Sequence, residues 1–102
     1  MQAFSVQKNK CLAPALTVIG TYSGTLTYGQ SGSNYTNITT DIANTEDLTK
    51  YYCIVRSSGY VNVYANVINT GGSVVVQART DYRENTTLNT INVNVIVVKA
   101  GQ

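Results

Sequence analysis

Few side chains in this sequence are of the types that carry catalysis. The 102 residues include no histidine, which removes the Ser–His–Asp and Cys–His arrangements of nucleophilic catalysis and the common zinc sites. Glu46 and Asp47 are adjacent, so in a turn their carboxylates point apart, whereas a glycosidase needs two carboxylates that face each other across a cleft. We therefore expect a non-enzymatic protein that holds no metal ion and no cofactor.

The two cysteines, Cys11 and Cys53, are the remaining reactive side chains. Metal-ligand cysteine pairs usually lie only a few residues apart, so these two do not form a metal motif. An even number of cysteines permits one disulfide bond, which at this loop length would stabilise the fold by about 3–4 kcal/mol. The alternative is that Cys11 and Cys53 are reduced thiols that pack as small hydrophobic side chains.

Tyrosine and asparagine are the residue types best suited to a contact surface. The chain has eight tyrosines, one phenylalanine and no tryptophan, and a tyrosine offers a large, rigid face together with a hydroxyl group. Asparagine is depleted in strands, yet it recurs at alternate positions of strand-like segments, where it would define one uncharged, hydrogen-bonding side of a sheet. We predict a contact surface composed of Phe4, Val6, Tyr22, Tyr28, Tyr35, Asn62, Tyr64, Asn66, Asn92 and Asn94.

Charge and hydropathy argue against two classes of partner. Charged residues make up 12% of the chain, against an average near 25%. The net charge of +2 comes from scattered bases, without the basic stripe that phosphate binding needs. No apolar run reaches the ~18 residues that span a bilayer. We expect neither nucleic acid nor membrane as a partner, and, because the first residues lack a signal-peptide pattern, synthesis without export unless a leader was removed.

The elements that must position these residues are strands. Apolar and polar residues alternate through much of residues 60–99, the period of strands with one buried and one wet face. Residues 51–56 have few polar breaks, which predicts a strand buried on both faces. Residues 57–59 predict a hairpin turn into the next strand, and residues 69–72, with their Gly-Gly pair, predict another. The predicted core valines are Val61, Val63, Val67, Val74, Val76, Val93, Val95 and Val97.

A glycine-rich stretch allows either a hairpin with its turn near residues 22–24 or one strand bent by a glycine bulge. Residues 44–50 predict at most one helical turn, with Asn44 as its cap. Turn signals recur about every 8–12 residues. The sequence therefore predicts an all-β fold, a single antiparallel β-sandwich or jelly-roll-like barrel of about 7–9 short strands. It would span residues 1–102 as one domain, with residues 1–10 as an N-terminal arm or edge strand.

One short segment resembles a known family. Residues 46–53 read Glu-Asp-Leu-Thr-Lys-Tyr-Tyr-Cys, which is similar to the E-D-x-A-x-Y-Y-C signature of immunoglobulin variable domains. The resemblance implies a helical turn before a strand, with Tyr51 as a corner tyrosine and Cys11 as the bridge partner of Cys53. The rest of the chain departs from that pattern: it has no tryptophan, and nearly half of it follows Cys53 where one strand is expected. We therefore treat the resemblance as a coincidence.

These observations predict a non-enzymatic structural protein of a viral, phage-like particle, such as a capsid decoration or cement subunit. It would be made in the host cytoplasm, reside in the virion and act through self-association and arm or strand contacts, in a homo-oligomer or lattice. The alternative is an extracellular or cell-surface β-sandwich module, either a pilus or fibre subunit or a carbohydrate-binding domain, which would add carbohydrate as a ligand. A third interpretation is a piece of a larger tail or adhesin protein.

Overall fold

Strands account for nearly all of the regular structure. The computed structural model describes residues 15–29, 34–82 and 87–101, which form six strands and one turn of 3-10 helix at Leu48–Lys50. The strands are β1 (Leu16–Tyr28), β2 (Tyr35–Thr39), β3 (Tyr51–Ser57), β4 (Tyr64–Thr70), β5 (Ser73–Arg79) and β6 (Asn89–Ala100). The predicted all-β class is confirmed. The predicted N-terminal arm, residues 1–10, lies outside the described residues.

The six strands form two three-stranded antiparallel sheets, with the orders β1–β6–β3 and β2–β5–β4. The two longest strands, β1 and β6, pair from Leu16 opposite Ala100 to Tyr28 opposite Asn89. One core cluster draws buried side chains from all six strands. The sheets therefore stack with their inner faces together, in a sandwich-like arrangement.

The core lies between the two central strands. Val93, Val95 and Val97 of β6 and Val76 and Ala78 of β5 are fully buried, and each such valine stabilises the fold by about 1.5–3 kcal/mol. Asn92, Asn94 and Ile96, which alternate with these valines along β6, are exposed, which is the expected two-residue period. The prediction of core valines is confirmed: Val67, Val74, Val76, Val93, Val95 and Val97 are buried, and Val61 and Val63 pack against the core while partly exposed.

The turn predicted within residues 69–72 is confirmed as a hairpin between β4 and β5, but only Gly71 and Gly72 lie between the strands, because β4 extends to Thr70. Thr70 lies opposite Ser73, and the φ angles of Gly71 and Gly72 are +62° and +87°. Two consecutive positive φ angles match the twist of the flanking strands but are costly for other residues, which explains the glycine pair.

The connection after β3 does not form the predicted hairpin. β3 and β4 belong to different sheets, and the next strand begins only at Tyr64. Ser58 stays beside β6, because its N–H donates to the carbonyl of Asn92 at 3.0 Å and its Oγ accepts from Asn92 N–H at 2.9 Å. A Cβ at Gly59 would approach Ile91 Cγ2 to 2.9 Å, so glycine allows the close approach at this crossing.

β1 is one continuous strand, so the alternative of a hairpin near residues 22–24 is wrong. The strand contains a bulge, as the other interpretation predicted, but the additional residue is Ile19, next to Gly20, rather than a glycine. Val18 lies opposite Val98 and Gly20 lies opposite Val97, so two residues of β1 correspond to one step of β6.

The predicted helical turn within residues 44–50 is confirmed, but its N-cap is Asp47 rather than Asn44. Asp47 Oδ1 accepts a hydrogen bond from the backbone N–H of Thr49 at 3.1 Å, which satisfies a free donor of the turn. The side-chain amide of Asn44 donates instead to the carbonyl of Gly72 at 2.9 Å. Asn44 thereby fastens this loop to the β4–β5 hairpin.

Asn34 joins the two sheets where β1 ends and β2 begins. It is buried and has a φ of +67°. Its N–H donates to the carbonyl of Thr27, its carbonyl accepts from Thr80 N–H, and its Oδ1 accepts from Gly29 N–H at 3.1 Å. Asparagine is among the few non-glycine residues that adopt this left-handed conformation readily, and its side chain adds the third bond.

Candidate functional site

The outer face of the β1–β6–β3 sheet carries exposed apolar side chains at one end. Tyr52 and Ile54 of β3 are each 57% exposed, so the prediction that residues 51–56 are buried on both faces is wrong: one face of this strand has no covering layer in the described structure. Tyr52 lies opposite Val98, and Ile54 lies opposite Ile96. We define the apolar patch as Leu16, Val18, Tyr52, Ile54, Ile96 and Val98. The first four are more than half exposed, whereas Val98, between Val18 and Tyr52 in the register, is only 7% exposed.

The bulge at Ile19 determines which side chains of β1 belong to this patch. From Gly20 onward, the even-numbered residues of β1 lie opposite inward-facing residues of β6, beginning with Gly20 opposite Val97. Before the bulge the phase is reversed, so that Val18 lies opposite the outward-facing Val98. Leu16 and Val18 are accordingly 63% and 66% exposed.

The other end of the same outer face is polar and includes two predicted contact residues, Asn92 and Asn94. Both are exposed. Asn94 lies between Ser23 and Arg56 in the register, and its Oδ1 accepts a hydrogen bond from Ser23 Oγ at 2.6 Å. The face is therefore divided along its length into an apolar end and an uncharged polar end with Arg56 at the border.

The outer face of the β2–β5–β4 sheet has a different chemistry. Arg79 of β5 lies opposite Tyr35 on one side and Tyr64 on the other. In the same way, Gln77 lies opposite Asn37 and Asn66. We define the tyrosine–amide face as Tyr35, Asn37, Tyr64, Asn66, Gln77 and Arg79. Three of these residues, Tyr35, Tyr64 and Asn66, belong to the predicted contact surface.

An open depression lies on the β4 side of this face. Its volume is about 350 Å³, and its lining includes Tyr64, Asn66, Gln77 and Arg79. Volumes of about 300–1,000 Å³ are typical of small-ligand sites. The depression therefore has the size for a small ligand, with aromatic, amide and guanidinium groups at its surface.

Tyr22 and Tyr28 face inward, unlike the other predicted contact tyrosines. Tyr28 is buried and its ring makes an edge-to-face contact with Tyr82, with centroids 5.8 Å apart, so it is a core residue. Tyr22 packs against the core and donates its hydroxyl to Asp41 Oδ1 at 2.8 Å. Burial and this acidic partner raise the pKa of Tyr22 to about 12.

The predicted asparagines do not share one side of a sheet. Asn66 lies on the tyrosine–amide face, whereas Asn92 and Asn94 lie on the outer face of the opposite sheet. Asn62 is exposed in the connection between β3 and β4. The prediction of one asparagine-lined face is therefore wrong, because the alternating segments belong to different sheets. Phe4 and Val6 lie outside the described residues.

Cys53 of β3 is partly buried and has no disulfide partner among the described residues, and burial raises the pKa of its thiol. A raised pKa keeps the thiol protonated and poorly nucleophilic at neutral pH. Cys11 lies outside the described residues, so the Cys11–Cys53 bridge stays a prediction.

Glu46, Tyr51 and Lys99 form a polar cluster where the helical turn meets the β1–β6–β3 sheet. Glu46 Oε1 accepts hydrogen bonds from the Tyr51 hydroxyl and from Lys99 Nζ at 2.9 Å, and Lys99 lies 5.6 Å from the centroid of the Tyr51 ring. The bonds from Tyr51 and Lys99 lower the pKa of Glu46. The cluster connects the residues before the helical turn to β3 and β6, which is a structural role.

No group of three or more acidic, histidine or cysteine side chains within residues 15–29, 34–82 and 87–101 is arranged to hold a metal ion. No helix among these residues has the length and apolar character to cross a membrane.

Comparison with known proteins gives no relative: no protein-family model, no curated protein and no solved structure matches this chain.

Sequence reasoning missed Asn37, Gln77 and Arg79 and the apolar patch. Gln77 and Arg79 alternate with buried Val76 and Ala78, so the period of two contained the signal for their shared outward direction. The predicted turn between β4 and β5 also contained the signal that Tyr64 lies opposite Arg79. Tyr35 comes from β2, far away in the sequence, and only the pairing register of β2 with β5 brings it to this face.

Proposed function

We propose that this protein is a non-enzymatic structural subunit of a phage-like particle that functions by associating with copies of itself through the apolar patch. The observation that supports this most is the patch itself. Monomeric soluble proteins rarely expose a large contiguous apolar surface, and such surfaces usually mark contacts with other macromolecules. Here the side chains come from all three strands of one sheet and are neighbours in the register.

The chemistry of the patch favours a second copy of the chain as its occupant. The six residues of the patch are uncharged, so two identical patches can meet without like-charge repulsion. A two-fold axis would pair each patch with itself, the commonest arrangement in homo-oligomers. Burying a Val, Leu or Ile completely gains about 1.5–3 kcal/mol, and about half of this remains available for a half-exposed side chain.

Two further observations support a structural role. The chain has no histidine and only 12% charged residues, so the remaining polar surface consists of amides and hydroxyls. These groups cause no charge repulsion between identical neighbouring subunits. The six described strands form two separate three-stranded sheets around one core, and this separation supports a single β-sandwich over a jelly-roll-like barrel as the finer architecture.

The association is tested by measuring the molar mass of the whole chain over a wide concentration range at neutral pH. We expect a mass above that of the monomer. Ile54→Lys places a charge in the apolar patch and should give a monomer that remains folded, because this side chain is exposed. The matched control is Thr25→Lys, which adds the same charge at an exposed position on the polar end of the same outer face and should leave the mass unchanged.

Two results would contradict the proposal. One is a wild-type chain that is monomeric at every concentration up to millimolar. The other is an oligomer that Ile54→Lys and Thr25→Lys weaken equally, because the contact would then lie elsewhere. Circular dichroism of each variant establishes that it is folded.

The second candidate is an extracellular or cell-surface module that binds carbohydrate. The tyrosine–amide face favours it, since stacked rings and amide groups are suited to sugars. This face lies on the sheet opposite to the apolar patch, so the two functions are compatible in one chain.

A further inference from the structure

We propose that the tyrosine–amide face binds a short carbohydrate that carries a carboxylate group. This inference rests on the second candidate function and names its ligand class. It does not depend on the proposed self-association, because the two surfaces belong to different sheets. It rests on the arrangement of Tyr35, Arg79 and Tyr64, on the neighbouring amides, and on the depression that Tyr64, Asn66, Gln77 and Arg79 line on the β4 side of the face.

The two tyrosines are placed to hold a ligand from both sides of Arg79. Each lies directly opposite Arg79 on an adjacent strand, and adjacent strands are about 4.8 Å apart. The backbones at Tyr35 and Tyr64 are therefore about 10 Å apart, a span that a disaccharide or trisaccharide can cover. Both tyrosines are 50% exposed, so ring surface is available for the apolar faces of sugar rings.

The amides of the next row supply donors and acceptors. Gln77 Nε2 donates to Asn37 Oδ1 at 3.0 Å, and Asn66 Oδ1 accepts from the N–H of Val67 at 3.0 Å. These bonds fix the orientation of the amides and leave Gln77 Oε1 and Asn66 Nδ2 without a partner among the described residues. An acceptor and a donor together match a sugar hydroxyl, which can both donate and accept.

The charge of Arg79 selects the acidic class of sugar. Within the described part of the chain, Arg79 is the charged residue of this face, and its partner is Asp81, with 3.6 Å between Nη1 and Oδ1. The two side chains are 57% and 67% exposed, and such exposed pairs contribute little. The guanidinium therefore remains available for a paired hydrogen bond with a carboxylate.

The experiment uses two acidic oligosaccharides, each with a neutral counterpart. Sialyllactose is compared with lactose, and trigalacturonic acid is compared with its methyl ester, by isothermal titration and by ligand-observed NMR. We expect at least one acid to bind about tenfold more tightly than its counterpart, the ratio that one charge-assisted hydrogen bond gives.

Three variants assign the binding to this face. Arg79→Gln should reduce the affinity for the acid to that for its neutral counterpart. Tyr64→Ala should weaken binding of the acid and of its neutral counterpart to a similar degree, because stacking on the ring does not involve the carboxylate. Asp81→Asn should strengthen binding of the acid severalfold, because it removes the nearest competing carboxylate. Thr25→Lys, on the opposite sheet, should leave all affinities unchanged.

Any of three outcomes would overturn the inference. Equal affinity for each acid and its neutral counterpart would exclude recognition of the carboxylate, and failure of both acids to bind at millimolar concentration would exclude the site. The third outcome is an acidic polypeptide, poly-glutamate, that binds as tightly as the sugars, because tyrosine and arginine are also typical of protein contacts. The same titrations with the Ile54→Lys variant separate this result from the fate of the self-association proposal.

Discussion

The two sheets present similar faces to each other and different faces to the outside. Inside, β6 contributes Val93, Val95 and Val97, and β5 contributes Val76 and Ala78. Outside, the β1–β6–β3 sheet has an apolar end and an uncharged polar end, whereas the β2–β5–β4 sheet has tyrosines around an arginine with a row of amides. The inner faces therefore need only apolar volume, while each outer face can be specialised for its own kind of partner.

The largest effect should come from the inner face. Leu26→Ala in β1 removes a fully buried side chain, and we expect the free energy of unfolding to fall by about 2–5 kcal/mol. The matched change on the outer face is Ile96→Ala, at a position that is 38% exposed. Measured by urea unfolding at low protein concentration, its loss should be below about 1 kcal/mol. Equal losses would mean that the two faces are not distinguished as described.

A smaller effect should come from the junction between the sheets. Asn34→Ala removes the acceptor for Gly29 N–H and places a Cβ-bearing residue without a local side-chain bond at positive φ. We expect a loss of about 1–3 kcal/mol. Asn34→Gly also removes the acceptor but tolerates the φ angle, so its loss should be the smaller of the two in thermal unfolding. A glycine variant that is less stable than the alanine variant would contradict this account.

The smallest change in stability should come from Glu46, in the polar cluster beside the β1–β6–β3 sheet. The folded pKa of Glu46 lies below its ordinary value of 4.5. The contribution of Glu46 is therefore present above that value and is lost as the pH falls through the folded pKa. Glu46→Gln should be less stable than the wild type near neutral pH, and the difference should shrink in acid. A difference in stability that stayed constant between about pH 7 and about pH 3 would argue against a stabilising role of the Glu46 carboxylate.

The sequence allowed the class of the fold and the core valines to be predicted, because a period of two reports directly on buried and exposed faces. The sequence did not allow us to predict which sheet each strand belongs to. Residues 57–59 resemble a hairpin turn locally, yet Ser58 continues along β6 and Gly59 crosses between the sheets. Tertiary packing overrides the local turn signal here, because Gly59 fits closely against Ile91, which lies far away in the sequence.

The candidate site was predicted in part for the same reason. Tyr35, Tyr64 and Asn66 were expected at a contact surface, and the register places them on one face. Tyr28 looked equivalent by composition, but its direction at the end of β1 turns it toward Tyr82 and the core. Residue type indicates what a side chain can do, and only the pairing register determines which side chains act together.

The bulge in β1 makes one strand position tolerant of a change in chain length. Because Ile19 is the additional residue, its deletion would leave Val18 opposite Val98 and Gly20 opposite Val97, now in regular alternation. Leu16 and Val18 would keep their outward direction, and the apolar patch would survive the loss of a residue. Regular pairing that retained Ile19 would instead place Ile19 opposite Val98 and turn Val18 inward, so the membership of the patch depends on how the strand accommodates one residue.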